Sequence, residues 1–244
     1  MLLKNQLIKQ GQLYFKYRGH LPIILVVICL ATILLYPVKW NKEFILIFQA
    51  SAITSMFFGH YIRATTVGRR FKHSSGRNRS HHYAEELNIF GWYSMTRNPL
   101  YFGNFCIWIG LSMLTLNVWL VLFSSVFFWF IYVRIILSEE DYLAEKFGES
   151  YKDWASSTSV FFPYWKTYRK NTTPISYKTI LKNEYPGISA TLTCVLLILV
   201  TLSSKKNGAY LFESWQIFFA SAIAIFASSM KLLKRKTKFF NLED

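Results

Sequence analysis

Six apolar runs, at residues 21–38, 44–62, 100–116, 118–137, 187–202 and 211–233, constrain this chain more than any other feature. A helix needs about 20 apolar residues to cross the hydrocarbon core, and each run reaches or approaches that length. With 52% of its residues hydrophobic, the chain is too apolar for an ordinary soluble domain. The expected fold is an all-α integral membrane protein of about six transmembrane helices, forming one membrane domain over residues 1–244. Asn117 alone separates the third and fourth runs, which therefore pair as a tight helical hairpin. Residues 39–43 make a similar short turn between the first two. The first run follows four basic residues and no A-x-A-like site follows it, so it reads as a retained helix and not a cleaved leader.

The net charge of +15 raises the question of nucleic acid. The basic residues alternate with apolar runs instead of forming one stripe, so membrane topology accounts for them and a nucleic-acid partner is not expected. Lys4, Lys9, Lys16 and Arg18 precede the first run, and Arg63, Arg69, Arg70, Lys72, Arg77, Arg79 and Arg97 lie between the second and third. Further lysines and arginines follow the fourth run and close the chain. The other side holds only Lys39, Lys42, Lys205 and Lys206. This asymmetry places both termini and both long loops, 63–98 and 138–186, on the cytoplasmic side of a bacterial inner membrane or an endomembrane. The loop from Gly68 to Arg79 is either ordinary positive-inside charge or a polybasic patch for anionic lipid headgroups.

Cys29, Cys106 and Cys194 each stand alone inside an apolar run, so no disulfide framework or cysteine zinc site is expected. His81, His82, Glu85 and Glu86 lack the order and further ligand of a zinc motif, and read as a solvated loop. No metal is expected. Oligomeric state is not readable from the chain.

Chemistry concentrates in two polar clusters on the same side of the membrane. The first is Gly91-Trp-Tyr-Ser-Met-Thr-Arg-Asn-Pro-Leu-Tyr-Phe-Gly103. Asn98 followed by Pro99 predicts a helix start, with Asn98 capping free N–H groups and Pro99 at the first helical position. That positive helix end, beside Arg97, Tyr93 and Tyr101, suits an anionic group. The same residues also suit a snorkelling arginine and an interfacial tyrosine. Gly103, Cys106 and Gly110 fall at the spacing of a helix–helix seam.

The second cluster is Arg134, Glu139-Glu140 and Phe147-Gly148-Glu-Ser-Tyr151. Residues 138–154 read as an amphipathic helix emerging from the fourth run. Glu139 and Glu140 fit either solvated acids in a helix turn or a working acid pair in a cationic neighbourhood. Arg134, inside the apolar run, is a functional candidate or a snorkelling cation. Phe161-Phe-Pro-Tyr-Trp165 reads as an aromatic belt with a proline turn at the interface, and residues 166–186 as a linker to the last two runs.

These clusters carry a family resemblance. Leu87-Asn88-x-x-Gly91-x-Tyr93-x-x-x-Arg97-Asn98-Pro99-Leu100-Tyr101-x-Gly103-Asn104, then Glu139-Glu140-x-x-Leu143-x-x-x-Phe147-Gly148-x-x-Tyr151-x-x-Trp154 and Pro163, resemble the isoprenylcysteine carboxyl methyltransferase and phospholipid methyltransferase superfamily. The resemblance covers about residues 45–165, leaving 187–233 as an extra C-terminal helical hairpin. The family pattern Arg-His-Pro has Asn98 in place of histidine here. Family members often carry an arginine one turn before the acidic pair; Arg134 lies five residues before Glu139.

The resemblance implies an integral-membrane enzyme that uses S-adenosylmethionine, held in a cytoplasmic pocket capped by loops and an interfacial helix. Arg97 and Glu139 would be catalytic. Gly91, Tyr93, Asn98, Pro99, Leu100, Tyr101, Gly103, Glu139 and Glu140 would bind the cofactor, and the acceptor would be a lipid or lipid-anchored carboxylate or amine. Two competitors differ in chemistry. A membrane reductase of related fold would bind NADPH, whose phosphates the acid pair would repel. A transporter or scaffold would bury polar residues at mid-membrane, where Thr32, Gln49, Ser124 and Ser125 are few and uncharged.

Overall fold

The computed structural model describes residues 2–36, 40–69, 86–208, 212–236 and 240. His81, His82, Glu85 and most of the polybasic loop lie outside the described residues. Within them the chain is helical: α1 (Leu2–Tyr17), α2 (Leu21–Leu35), α3 (Lys42–Gly68), α4 (Trp92–Met95), α5 (Pro99–Met113), α6 (Val118–Phe147), α7 (Glu149–Ser157), a 3₁₀ turn (Trp165–Thr167), α8 (Tyr177–Asn207) and α9 (Ser214–Lys236). All six apolar runs form helices. Four of these, α3, α6, α8 and α9, are long and apolar enough to cross a membrane, and α1 with α2 supplies a fifth candidate bent by 77°. At 15 residues, α5 is about 22 Å long and is shorter than the hydrocarbon core. Only 11% of the apolar window of α8, and of α9, is buried within the protein. The remainder is apolar surface turned outward, as a bilayer requires.

The short connections meet at one end of the bundle. The Trp40 indole donates to the Leu116 carbonyl at 2.8 Å, joining the turn before α3 to the turn before α6. Lys205, near the end of α8, donates to the carbonyls of Ile33, Leu34 and Tyr36. A cation thus satisfies the free carbonyls that end α2. Asn117 caps α6 by accepting from Leu120 N at 3.1 Å, and the preceding turn needs Leu116 at φ 59°.

The long connections meet at the other end. Gly91 N donates to Arg169 O, Ser176 N to Gly68 O and Asn171 Nδ2 to Arg69 O. The two long loops therefore share a face, as the charge pattern requires.

The α3–α5 pair is the most extensive helix contact, and small residues make it so. A Cβ on Gly59 would meet Gly103 O at 2.5 Å, and one on Gly103 would meet Arg63 Cγ at 2.7 Å and Gly59 O at 2.8 Å. On Gly110 it would meet Met56 Cγ at 2.5 Å. The expected seam is present.

Three details depart from the sequence reading. The linker ends early, because Ser176 caps Thr179 N at 3.2 Å and starts α8 ten residues before Pro186. The helix expected over 138–154 is in two parts, since Gly148 (φ 55°) breaks it between α6 and α7. Phe161 does not lie at an interface. It is 3% exposed, inserted against Trp129, Phe102, Phe105 and Phe128, with ring centroids 4.5–6.1 Å away.

α1 was not separately legible. It packs along α6, where a Cβ on Gly11 would overlap the Arg134 carbonyl at 2.0 Å.

Candidate functional site

The two polar clusters are stitched together by backbone. Arg97 N donates to Ser159 O at 2.8 Å, Tyr164 N to Met95 O at 2.9 Å, and the Trp154 indole to Tyr93 O at 3.1 Å. Thr96 Oγ1 donates to Phe161 O at 2.8 Å. The segment leading into α5 and the segment leaving α7 therefore form one unit. Extended backbone cannot be buried near a membrane unless its polar groups are paired in this way.

On that unit the Arg97 and Glu140 side chains form an ion pair, with Nε 2.9 Å from Oε1. The two atoms are buried and lie off the line of a good hydrogen bond, as does the nearby Tyr151 hydroxyl. Arg97 Nη1 donates to Ala155 O at 2.9 Å, which fixes the guanidinium plane. Burial first, and the adjacent Glu140 carboxylate second, push the Tyr151 phenol well above its ordinary value. It stays a neutral donor. One turn along, the Tyr101 hydroxyl is hydrogen-bonded to Glu139, and the Tyr101 ring meets the Tyr132 ring at 5.0 Å.

The other expected residues divide. Pro99 occupies the first turn of α5, as expected. Asn98 does not cap that helix: its backbone sits at φ −125°, ψ 52°, and its side chain makes no cap hydrogen bond. Instead Nδ2 donates to Val160 O at 2.9 Å. The Val160 carbonyl has only the longer contact from Thr96 Oγ1, 3.4 Å, besides this one, and it takes the Asn98 side chain from the cap. Leu100 contributes its carbonyl to Arg63 at 3.4 Å. Gly103 is filled against Arg63 and Gly59, so its role is close packing. Gly91 and Tyr93 line a separate cavity with Trp92 and Trp165. Arg134 points away, donating from Nε to Gln10 Oε1 at 2.8 Å and from Nη1 to the Phe130 carbonyl, with its guanidinium 3.9 Å from the Phe130 ring centroid.

A third cluster escaped sequence reasoning. Arg63 of α3 makes a two-pronged bond to Glu184 of α8, Nε–Oε2 2.8 Å and Nη2–Oε1 2.9 Å. Its Nη1 donates to Asn104 Oδ1 at 2.8 Å, and Asn104 Nδ2 reaches the Tyr132 hydroxyl at 3.4 Å. One signal was present. Glu184 is the only acidic residue between Asp153 and Glu213.

The molecule so described is an all-helical integral membrane protein with a buried arginine–carboxylate site where its two long loops meet one end of the bundle. Residues 44–150 match the phospholipid methyltransferase family. Through that region the chain resembles the isoprenylcysteine carboxyl methyltransferase and phospholipid methyltransferase superfamily.

It is 32% identical to the nickel-cobalt-cadmium resistance protein NccN of Alcaligenes xylosoxydans xylosoxydans over 137 residues, 55% of this chain and 59% of that one. It is 32% identical to a protein-S-isoprenylcysteine O-methyltransferase of Schizosaccharomyces pombe over 122 residues, 48% of this chain and 50% of that one. Protein-S-isoprenylcysteine O-methyltransferase B of Arabidopsis thaliana is 30% identical over 116 residues, 46% of this chain and 57% of that one. The chain thus spans about half the length of the curated relatives it matches. No solved structure matches it.

Proposed function

We propose that this protein transfers a methyl group from S-adenosylmethionine to a lipid or lipid-anchored acceptor at the cytoplasmic face of its membrane. The observation that carries the reading is the Arg97–Glu140 pair, which joins two motif segments inside the region matching the family. Two named relatives are O-methyltransferases, which agrees with the reaction class. In the same reading the methyltransferase core is residues 45–165, the hairpin over 187–233 is an addition to it, and both termini are cytoplasmic.

The residues fit such a donor. Glu140 Oε1, Arg97 Nε and the Tyr151 hydroxyl are buried together without well-aligned hydrogen bonds. A ligand carrying hydroxyls, an ammonium and a carboxylate would add better-aligned hydrogen bonds to the Arg97–Glu140 pair. Glu139 and Glu140 would take its ribose hydroxyls or amino group, and Arg97 its carboxylate. Tyr101, held by Glu139, and Pro99 and Leu100 would wall the site. Asn98 fixes the loop from behind through Val160. When bound, the donor supplies a methyl group already activated by its sulfonium. What the protein must add is alignment and exclusion of water. A carboxylate acceptor needs no base; an amine acceptor must lose a proton, which a glutamate or a water would take.

Calorimetric titration of the detergent-purified protein with S-adenosylhomocysteine tests this, run beside NADPH and a Glu139→Ala variant. Saturable binding lost in the variant is the expected result. NADPH binding instead would assign the chain to reductase chemistry, and binding of neither by folded protein would end the enzyme reading.

A further inference from the structure

A cavity of about 560 Å³ opens where the end of α3 meets α4 and the 3₁₀ turn. It shares Gly91, Tyr93 and Met95 with the segment leading to Arg97, but its lining includes neither Arg97 nor Glu139 nor Glu140. Its walls are aromatic. Trp92 meets Trp165 edge-on at 5.7 Å and Phe58 at 6.4 Å, and the Trp92 indole is anchored on Thr65 Oγ1 at 2.8 Å.

One charge enters this aromatic wall. Arg69 is the only charged residue among the described lining residues, with no carboxylate to balance it. Its Nε is buried and has no hydrogen-bond partner among the described residues. A guanidinium N–H withdrawn from water without an acceptor is costly, and phosphate is the anion whose geometry a guanidinium fork matches best. The rim supplies the rest of the argument. Tyr61 is 51% exposed and Phe57, on the same helix, 72% exposed. The cavity mouth therefore runs into the apolar surface that α3 presents to hydrocarbon. Trp92, Trp165 and Tyr168 have the character of residues found at headgroup depth.

We propose that this cavity binds one phosphate-bearing anionic membrane lipid, its phosphate on Arg69 and an acyl chain leaving between Phe58 and Tyr61 toward the bilayer. The site is additional to the Arg97–Glu140 site. It does not depend on the methyl-transfer reading, since it rests on the cavity and the buried Arg69 Nε that finds no acceptor among the described residues.

Native mass spectrometry of the delipidated, detergent-solubilised full chain tests it. The probes are phosphatidylglycerol, diacylglycerol with the same chains, and glycerol phosphate. The wild type is expected to hold one phosphatidylglycerol on the order of tenfold more tightly than Arg69→Gln, the weight of a charged hydrogen bond. Arg69→Lys should retain part of that affinity, and Arg134→Gln, whose arginine already has partners, all of it. Brominated phosphatidylglycerol should quench the wild type more than a Trp92→Phe/Trp165→Phe variant. Equal retention by Arg69→Gln, equal binding of diacylglycerol, or quenching unchanged in the tryptophan variant would overturn the proposal. Glycerol phosphate binding as tightly as the lipid would make this a site for a soluble phosphate and would also overturn it.

Discussion

Arg63 and Glu184 face each other in a two-pronged pair, and the Glu184 side chain is only 3% exposed. The pair joins α3, inside the family region, to α8, outside it. Removing one partner of a buried pair costs about 3–5 kcal/mol, because the survivor is left as an uncompensated buried charge. Glu184→Gln and Arg63→Gln should each lower the thermal midpoint in detergent markedly. The Arg63→Met/Glu184→Leu double variant should lose less than the sum of the two single losses. Additive losses in melting curves would mean the two residues act independently.

The seam between α3 and α5 makes an opposed pair of predictions. Gly103→Ala forces a Cβ against Arg63 and Gly59 O, an overpacking worth about 1–3 kcal/mol. Gly187→Ala meets nothing within 4 Å inside α8 and should be neutral or stabilising by up to about 1 kcal/mol, from helix propensity. Comparing the two midpoints under one detergent condition checks both signs at once.

At Asn98 the decisive group is the carbonyl it serves. Asn98→Leu removes the closer of the two donors to Val160 O and should cost about 0.5–1.5 kcal/mol. Asn98→His, which restores the family pattern and keeps an N–H, should recover most of that loss. If histidine recovers nothing, the Val160 contact is not what this position is kept for.

Arg97 and Glu140 should separate binding from folding. Glu140→Gln keeps shape and removes the charge of the pair. It should weaken S-adenosylhomocysteine on the order of tenfold, about 1.4 kcal/mol, with a smaller change in thermal midpoint than Glu184→Gln. A melt as damaged as that of Glu184→Gln, with unchanged affinity, would make Glu140 a structural residue.

What was legible in the chain was local or periodic. The apolar runs, the Asn117 hairpin and the Gly103–Cys106–Gly110 seam depend on residues close in sequence or repeated at helical spacing. The charge asymmetry correctly grouped the two long loops at one end, and the two motifs do meet, through Arg97 and Glu140. The misses came from long-range competition. Asn98 has a sound capping sequence, yet a carbonyl 62 residues away takes its side chain. Phe161 looks interfacial until Trp129 and Phe102 are known to leave room for it. Arg63 looked like one more positive-inside residue, because nothing near it in sequence announces Glu184. In the α1–α6 contact Gly11 is the closest approach, and no pattern in α1 marks it as such.

The Arg63–Glu184 pair also sets a timetable for biosynthesis. The partners are 121 residues apart, so the ribosome delivers Arg63 long before its counter-ion exists. At about 5–20 residues per second, that interval is on the order of ten seconds. Throughout it, α3 carries an arginine that the finished protein buries, with Asn104 the first of its side-chain partners to arrive. Until α8 emerges, Arg63 is without the carboxylate it meets in the finished protein. A chain released early would be held back by one unmatched charge, which gives the cell a simple mark of incompleteness to recognise.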